Sequence, residues 1–283
     1  MYTYSYPHNS LISGTIQESG TAFAGVFINQ TNIAKAWYIT AQAVGCGNSS
    51  SPVDAVMRCM KKAKWEDLLN ASPSGDPTLS FFPTIDDNIV FGNYTEKSLR
   101  GEVAKVPLLI GNNDNESGLF VIDFLIYNIT DPVYGPHFDL VHINCPAGQR
   151  ANASIENSLP TWRYRWFGNF PDLRLTQTPD SGAWHGEEIT VIWDTIPKTP
   201  GVTMTDAEKN IQKYVQGAWV TFAKDPVNGL RKYEGGWPQW NPAKKTLVRL
   251  AYDNLTGPNL AFPMEYDAGC AGHEGAGPVS INL

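Results

Sequence analysis

The stretch Val106-Pro-Leu-Leu-Ile-Gly111-Asn-Asn-Asp-Asn-Glu116 constrains this chain most, because a continuous apolar run stops at a glycine and gives way at once to polar and acidic residues. A Val/Leu/Ile run without alternation suits a strand covered on both faces, the situation of a parallel sheet with helices on each side. In such sheets ligands and reactive groups gather where strands end and loops begin. Glu116 sits at that point. The plain alternative is that Asn112 to Glu116 is only a polar turn. Read alone, the stretch does not choose between the two.

A second stretch bears on that choice. In Asp180-Ser-Gly-Ala-Trp-His185-Gly-Glu-Glu-Ile189 a single His stands between a Gly-containing turn and the apolar run Ile189 to Trp193. A neutral imidazole serves as general base when its other ring nitrogen donates to an orienting carboxylate, and Glu116 is the candidate. A pair of this kind requires a carboxylate oxygen about 2.6–3.2 Å from a ring nitrogen. His185-Gly-Glu-Glu is not a zinc motif, since no second His follows four residues on. His137 and His142 have no partner that the sequence names and are set aside as structural.

The N-terminal stretch Ser10-Leu-Ile-Ser-Gly-Thr-Ile-Gln-Glu-Ser19-Gly-Thr-Ala resembles the strand and Gln-x-Ser-Gly segment of type B carboxylesterases, the family of cholinesterases and of many secreted fungal lipases and esterases. Lys105 to Gly118 resembles the family's Val-Pro-x-x-x-Gly-x-Asn-x-Asp-Glu-Gly acid motif, with Asn115 in place of its Asp and Ser117 in place of its Gly. Phe81-Phe-Pro-Thr-Ile-Asp86-Asp, Cys145-Pro146, Trp162 to Gly168, His185-Gly-Glu-Glu, Ala218 to Pro226 and Trp237-Pro238 continue the resemblance over essentially the whole chain. It implies an α/β-hydrolase fold with a mostly parallel sheet flanked by helices. It assigns Glu116 and His185 as acid and base, with Ser19 as a buried hydroxyl supporting the acid. It also implies two disulfides, a short loop closed by Cys46 and Cys59 and a long-range bridge between Cys145 and Cys270.

The α/β-hydrolase order is nucleophilic Ser, acid, then His, with the Ser on a Gly-x-Ser-x-Gly elbow and a Gly-rich oxyanion loop ahead of it. No Ser of this sequence has Gly at both flanking second positions, and Gly235-Gly236 lies downstream of His185. By the resemblance, Met1 falls just beyond the elbow. Residues 1–283 are therefore expected to form one incomplete domain, the C-terminal half, whose partner is the N-terminal half of the same domain. The expected substrate is a small-molecule or lipid carboxylic ester, with no cofactor and no metal, and with little activity from this chain alone. The alternative is a non-catalytic cholinesterase-like module for binding or adhesion. Retention of both Glu116 and His185 favours the hydrolase.

Composition agrees and excludes other classes. A net charge of -7 argues against a nucleic-acid surface, and no apolar run approaches membrane-spanning length. Met1 to Pro7 has neither the basic start nor the apolar stretch of a signal peptide. Extracellular residence is expected nonetheless, from four cysteines outside metal-finger spacing and from sequons at Asn29, Asn48, Asn70, Asn93, Asn115, Asn128, Asn152 and Asn254. The sequon at Asn115 adjoins the proposed acid and is expected to stay unmodified.

Among local elements, Leu11 to Gln17 reads as an early strand and Thr31 to Val44 as helical. Ser51-Pro52 opens a helix with Val53, Val56, Met57 and Met60 on one face. Trp162 to Phe167 has strand period, and its two arginines are expected to meet carboxylates. Thr205-Asp-Ala-Glu208 is a capping box opening a helix with Ile211, Val215, Ala218, Trp219 and Phe222 on its core stripe. Thr246 to Tyr252 reads as a late strand. Leu119 to Ile126 fits a buried helix or a strand equally well. Gly269 to Gly277 is expected to be a flexible end.

Overall fold

The computed structural model describes residues 1–8, 11–24, 30–73, 79, 81–120, 134–196 and 202–271. The sequons at Asn29 and Asn128, most of the apolar run after Leu119 and the tail beyond Ala271 lie outside the described residues. The chain forms two compact units, one made of residues 1–5, 25–93 and 276–283, the other of residues 6–24 and 94–275.

Besides the short helix Tyr2–Ser5, the first unit contains α1 (Gln30–Ala43), α2 (Val53–Met60) and α3 (Trp65–Ala71). Gly45 and Gly47, both with positive φ, end α1 where the sequence places its stop. Pro52 precedes α2, and Asp54 in the first turn and Arg58 in the last complement the helix dipole. The core is small: Ala41, Val56 and Met60 pack with Trp37, Tyr38 and Leu68. Val53 and Met57, expected on the buried face, are exposed. A two-turn helix packing through one i, i+4 ridge buries only Val56 and Met60, so the apolar stripe is narrower than its periodicity implies. The Cys46–Cys59 disulfide closes this loop and helix.

The second unit is built on a five-stranded sheet in the order β1 (Thr15–Glu18), β2 (Leu108–Asn113), β3 (Thr161–Trp166), β4 (Leu247–Leu250) and β5 (Asn259–Ala261). The first four strands run parallel and β5 returns antiparallel to β4. The early strand is shorter than its sequence implies, since Leu11 is 88% exposed and pairing begins at Thr15.

Alternation along the two central strands sorts the core into two faces. Leu108 and Ile110 meet Ala147 and Ala151 of helix α4 (Cys145–Glu156) on one face. Leu109, Trp162, Tyr164 and Trp166 meet the opposite layer. That layer includes α5 (Glu187–Ile192) and α6 (Asp206–Lys224). Thr205 and Glu208 form the reciprocal capping box of α6, which presents Ile211, Val215, Ala218, Trp219 and Phe222 to the sheet. The rings pack edge to face, Trp162 on Phe222 with centroids 5.9 Å apart and Tyr164 on Trp219 at 5.1 Å. Gly111 is required by this packing, because a Cβ there would lie 2.3 Å from the Tyr164 ring that crosses over it.

The two arginines of β3 point to the α4 side, each with a carboxylate and an aromatic face. Arg163 pairs with Asp267 and lies 5.0 Å from the Trp240 ring centroid. Arg165 donates to Asp114 at 2.8 Å and lies 4.8 Å from the Tyr266 ring centroid. Fixed carboxylates at both positions offset the cost of burying the two cations. The Cys145–Cys270 disulfide joins the start of α4 to the segment that follows β5.

Candidate active site

Where β2 ends, the chain makes a tight turn, and Glu116 opens it with its side chain fully buried. Three donors converge on its carboxylate. The Asn113 N–H donates to Oε1 at 2.6 Å, and the Ser19 hydroxyl donates to the same oxygen at 2.7 Å. Ser19 directly follows β1. Its N–H continues the ladder to the Gly111 carbonyl at 2.9 Å, and its left-handed backbone, φ 47°, aims the hydroxyl across at the acid. A non-glycine residue in that region carries conformational strain, a condition that recurs at functional sites.

The third donor is His185. Its Nδ1 lies 2.6 Å from Glu116 Oε2, and its backbone N–H donates to the Glu116 carbonyl at 3.2 Å. An acceptor-only carboxylate assigns the proton to Nδ1 and leaves Nε2 with its lone pair. The imidazole is 41% exposed, so a fully buried carboxylate holds a ring that solvent can reach. The hydrogen bond His185 donates to Glu116 raises the His185 pKa above its ordinary value, burial opposes it, and the charges of Glu116, Glu188 and Asp139 add to the rise. Gly186, at φ +87°, turns the chain directly from His185 into α5.

Behind this pair lies a buried polar layer. The Asn113 side-chain amide donates to the Trp184 carbonyl and to Glu188 Oε2, both at 2.5 Å, so one residue ties the acid turn to the segments on either side of His185. Burial, reinforced by the Glu116 charge, pushes Glu188 up to about 8, and Asn113 opposes that rise. Glu187 is also raised, chiefly by burial, with Trp166 Nε1 donating to it at 3.3 Å. Asp139 accepts the Ser117 N–H at 2.7 Å and is pushed by burial to about 6.

The fold thus brings Ser19, Glu116 and His185 together from three separate parts of the sequence. His142 stands outside the cluster with its ring centroid 4.9 Å from that of Phe138, and burial lowers its pKa. Sequence reasoning missed Asn113, Glu188 and Asp139. Two signals were available: a pair of asparagines ending an apolar strand, and two adjacent glutamates ahead of an apolar run. Asp139 left none, because its partner Ser117 stands 22 positions away. Among the described residues, no group of three or more His, Cys, Asp or Glu side chains is arranged to hold a metal ion.

A mostly parallel sheet flanked by helices, with an acid after one strand and a histidine after the next, defines the α/β-hydrolase fold. A PNB esterase structure shares it, with a TM-score of 0.64 at 20% identity over 88% of this chain and 56% of that one. The family model of the carboxylesterase family matches residues 1–132 of this chain. A chlorogenic acid esterase of Aspergillus niger is 28% identical over 254 residues, 87% of this chain and 46% of that protein. Secreted lipase 5 of Gibberella zeae is 29% identical over 275 residues, 89% of this chain and 49% of its own length. The chain spans about half the length of these relatives.

Proposed function

We propose that this chain carries the acid and base of a serine carboxylic ester hydrolase, and that the nucleophile and oxyanion donors come from polypeptide outside these 283 residues, the N-terminal half of the same domain. The observation that carries the reading is the 2.6 Å contact between His185 Nδ1 and Glu116 Oε2, which engages Nδ1 and leaves Nε2 its lone pair in a side chain that is 41% exposed. In this mechanism Nε2 removes the proton of an incoming serine hydroxyl as that oxygen attacks the ester carbonyl. The imidazolium, stabilised by Glu116, then returns the proton to the departing alkoxide. Water deacylates the enzyme by the same two proton transfers. Ser19 keeps Glu116 in place and takes no part in bond making.

The substrate class is a small-molecule or lipid carboxylic ester. It is supported by the carboxylesterase family-model match over residues 1–132 and by the names of the two fungal relatives, an esterase and a lipase. Extracellular residence with N-linked sugar is supported by the two disulfides and by exposed sequon asparagines at 48 and 254.

The test is turnover of a short-chain nitrophenyl ester. The 283-residue chain by itself should not exceed background. Co-expression with a segment supplying a Gly-x-Ser-x-Gly elbow and an oxyanion loop should restore hydrolysis, and His185→Ala should abolish it. Robust turnover by this chain alone, lost in His185→Ala, would show that a nucleophile lies within these residues and would overturn the division of the triad.

A further inference from the structure

Asn115 directly precedes Glu116, and its side chain reaches across to the histidine segment. Its Nδ2 donates to the Ser181 carbonyl at 2.7 Å, and its backbone N–H donates to the Ala183 carbonyl at 3.0 Å. Together with the His185 N–H on the Glu116 carbonyl, these bonds lace residues 181–185 onto residues 115–116. The packing around the amide is close. A Cβ on Gly118 would lie 2.0 Å from the Ser181 carbonyl oxygen and 2.8 Å from Asn115 Nδ2, and a Cβ on Gly182 would lie 3.1 Å from the same nitrogen. Ser181 is itself fully buried and its hydroxyl accepts the Leu175 N–H at 3.0 Å, so the carbonyl that Asn115 grips belongs to a fixed segment.

We propose that Asn115 is a positioning residue for His185, its carboxamide holding the segment before the histidine at the height where Nδ1 meets Glu116. The inference rests on the reading of His185 as the base. Chemistry selects an amide here. Serine and alanine do not reach the carbonyl, and aspartate presents an acceptor to an acceptor. The same nitrogen is the one an N-glycan would use. An amide committed to Ser181 between two glycines leaves no path for a sugar, so the Asn115 sequon stays unmodified in folded protein although its sequence qualifies.

The experiment compares the full chain, produced through a eukaryotic secretory pathway, with its Asn115→Ala and Asn115→Asp variants. Proton NMR follows the far-downfield Nδ1–H of His185 and the His185 titration. The two disulfides, assayed by non-reducing peptide mapping, report that each variant has folded. Asn115→Ala should bring the His185 midpoint down toward its ordinary value, and both variants should speed exchange of the Nδ1 proton with water by at least tenfold. A merely structural role would lower stability and leave both readouts in place. A folded variant that keeps the wild-type midpoint and proton exchange overturns the proposal. So does a sugar on Asn115 in disulfide-bonded wild-type molecules, a measurement that needs no variant to fold. Neither readout involves turnover, so failure to hydrolyse an ester would count against the proposed activity and not against this role of Asn115.

Discussion

Glu116→Gln is the sharpest perturbation of the site, because the wild-type carboxylate accepts three hydrogen bonds and an amide oxygen replaces only one of its two oxygens. With the amide oxygen at the Oε1 position, the bonds from Ser19 and Asn113 survive and the NH2 faces His185 Nδ1. The opposite rotamer sets the NH2 against the Asn113 N–H, donor to donor at 2.6 Å, and is disfavoured. The variant therefore loses one charge-assisted bond and pushes the imidazole to the tautomer with its proton on Nε2. A bond of that kind contributes about 1.5–3 kcal/mol. The low end applies, because the 41% exposed imidazole recovers part of it from water. The loss corresponds to a melting-point drop of a few degrees in a chain of this size. In the assembled enzyme kcat should fall by about four orders of magnitude, since Nε2 no longer presents a lone pair.

The effect on pH dependence has a defined sign. Glu116 raises the His185 pKa in the folded chain, so its stabilisation is complete below the unfolded imidazole value and is lost as pH rises through the folded one. Glu116→Gln should flatten that slope, and the variant should fall furthest behind wild type on the acid side. The assay is urea denaturation across this window, paired with NMR titration of the five histidines of the sequence. A His185 titration that does not move in Glu116→Gln would refute the assigned hydrogen bond and with it the orienting role of the acid.

Gly111→Ala should cost on the order of 3 kcal/mol or prevent folding, since its Cβ meets the Tyr164 ring at 2.3 Å, whereas Gly20→Ala, with its nearest neighbour at 3.7 Å, should fold normally; thermal melts of the two decide it. Burial raises Glu188 to about 8, so its stabilisation is complete below the unfolded carboxyl value and is lost as pH rises through about 8. Glu188→Gln removes that loss, and its stability relative to wild type should climb between pH 5 and pH 8 in urea titrations; a pH-independent difference would contradict a buried neutral carboxyl. Replacing both cysteines of either disulfide by serine should cost about 2–5 kcal/mol, with the larger loss at Cys145–Cys270 because it closes 125 residues against 13, as measured by calorimetry on each double variant.

What the sequence determined by itself was local chemistry with a period. The apolar run to Gly111, the strand period through Trp162 to Phe167 and the capping box at Thr205 each carry their signal in consecutive residues, and the structure has a strand, a strand and a helix there. The acid turn and the histidine segment were legible for the same reason, each being a short polar break after or before an apolar run. Tertiary structure decided what depends on meeting. Val53 and Met57 share the spacing of Val56 and Met60, and only the width of the packing ridge leaves the first two in water. Asn113 and Asn115 read as turn residues, yet each donates across to the histidine segment. Glu188 looked like an ordinary charge at a helix start until the fold placed it beneath Glu116, where burial and a neighbouring negative charge keep its proton on. Periodicity records how a residue stands relative to its own element, whereas a hydrogen-bond partner or a shifted pKa is set by what another element brings to the same place, about which neighbours in sequence carry no information.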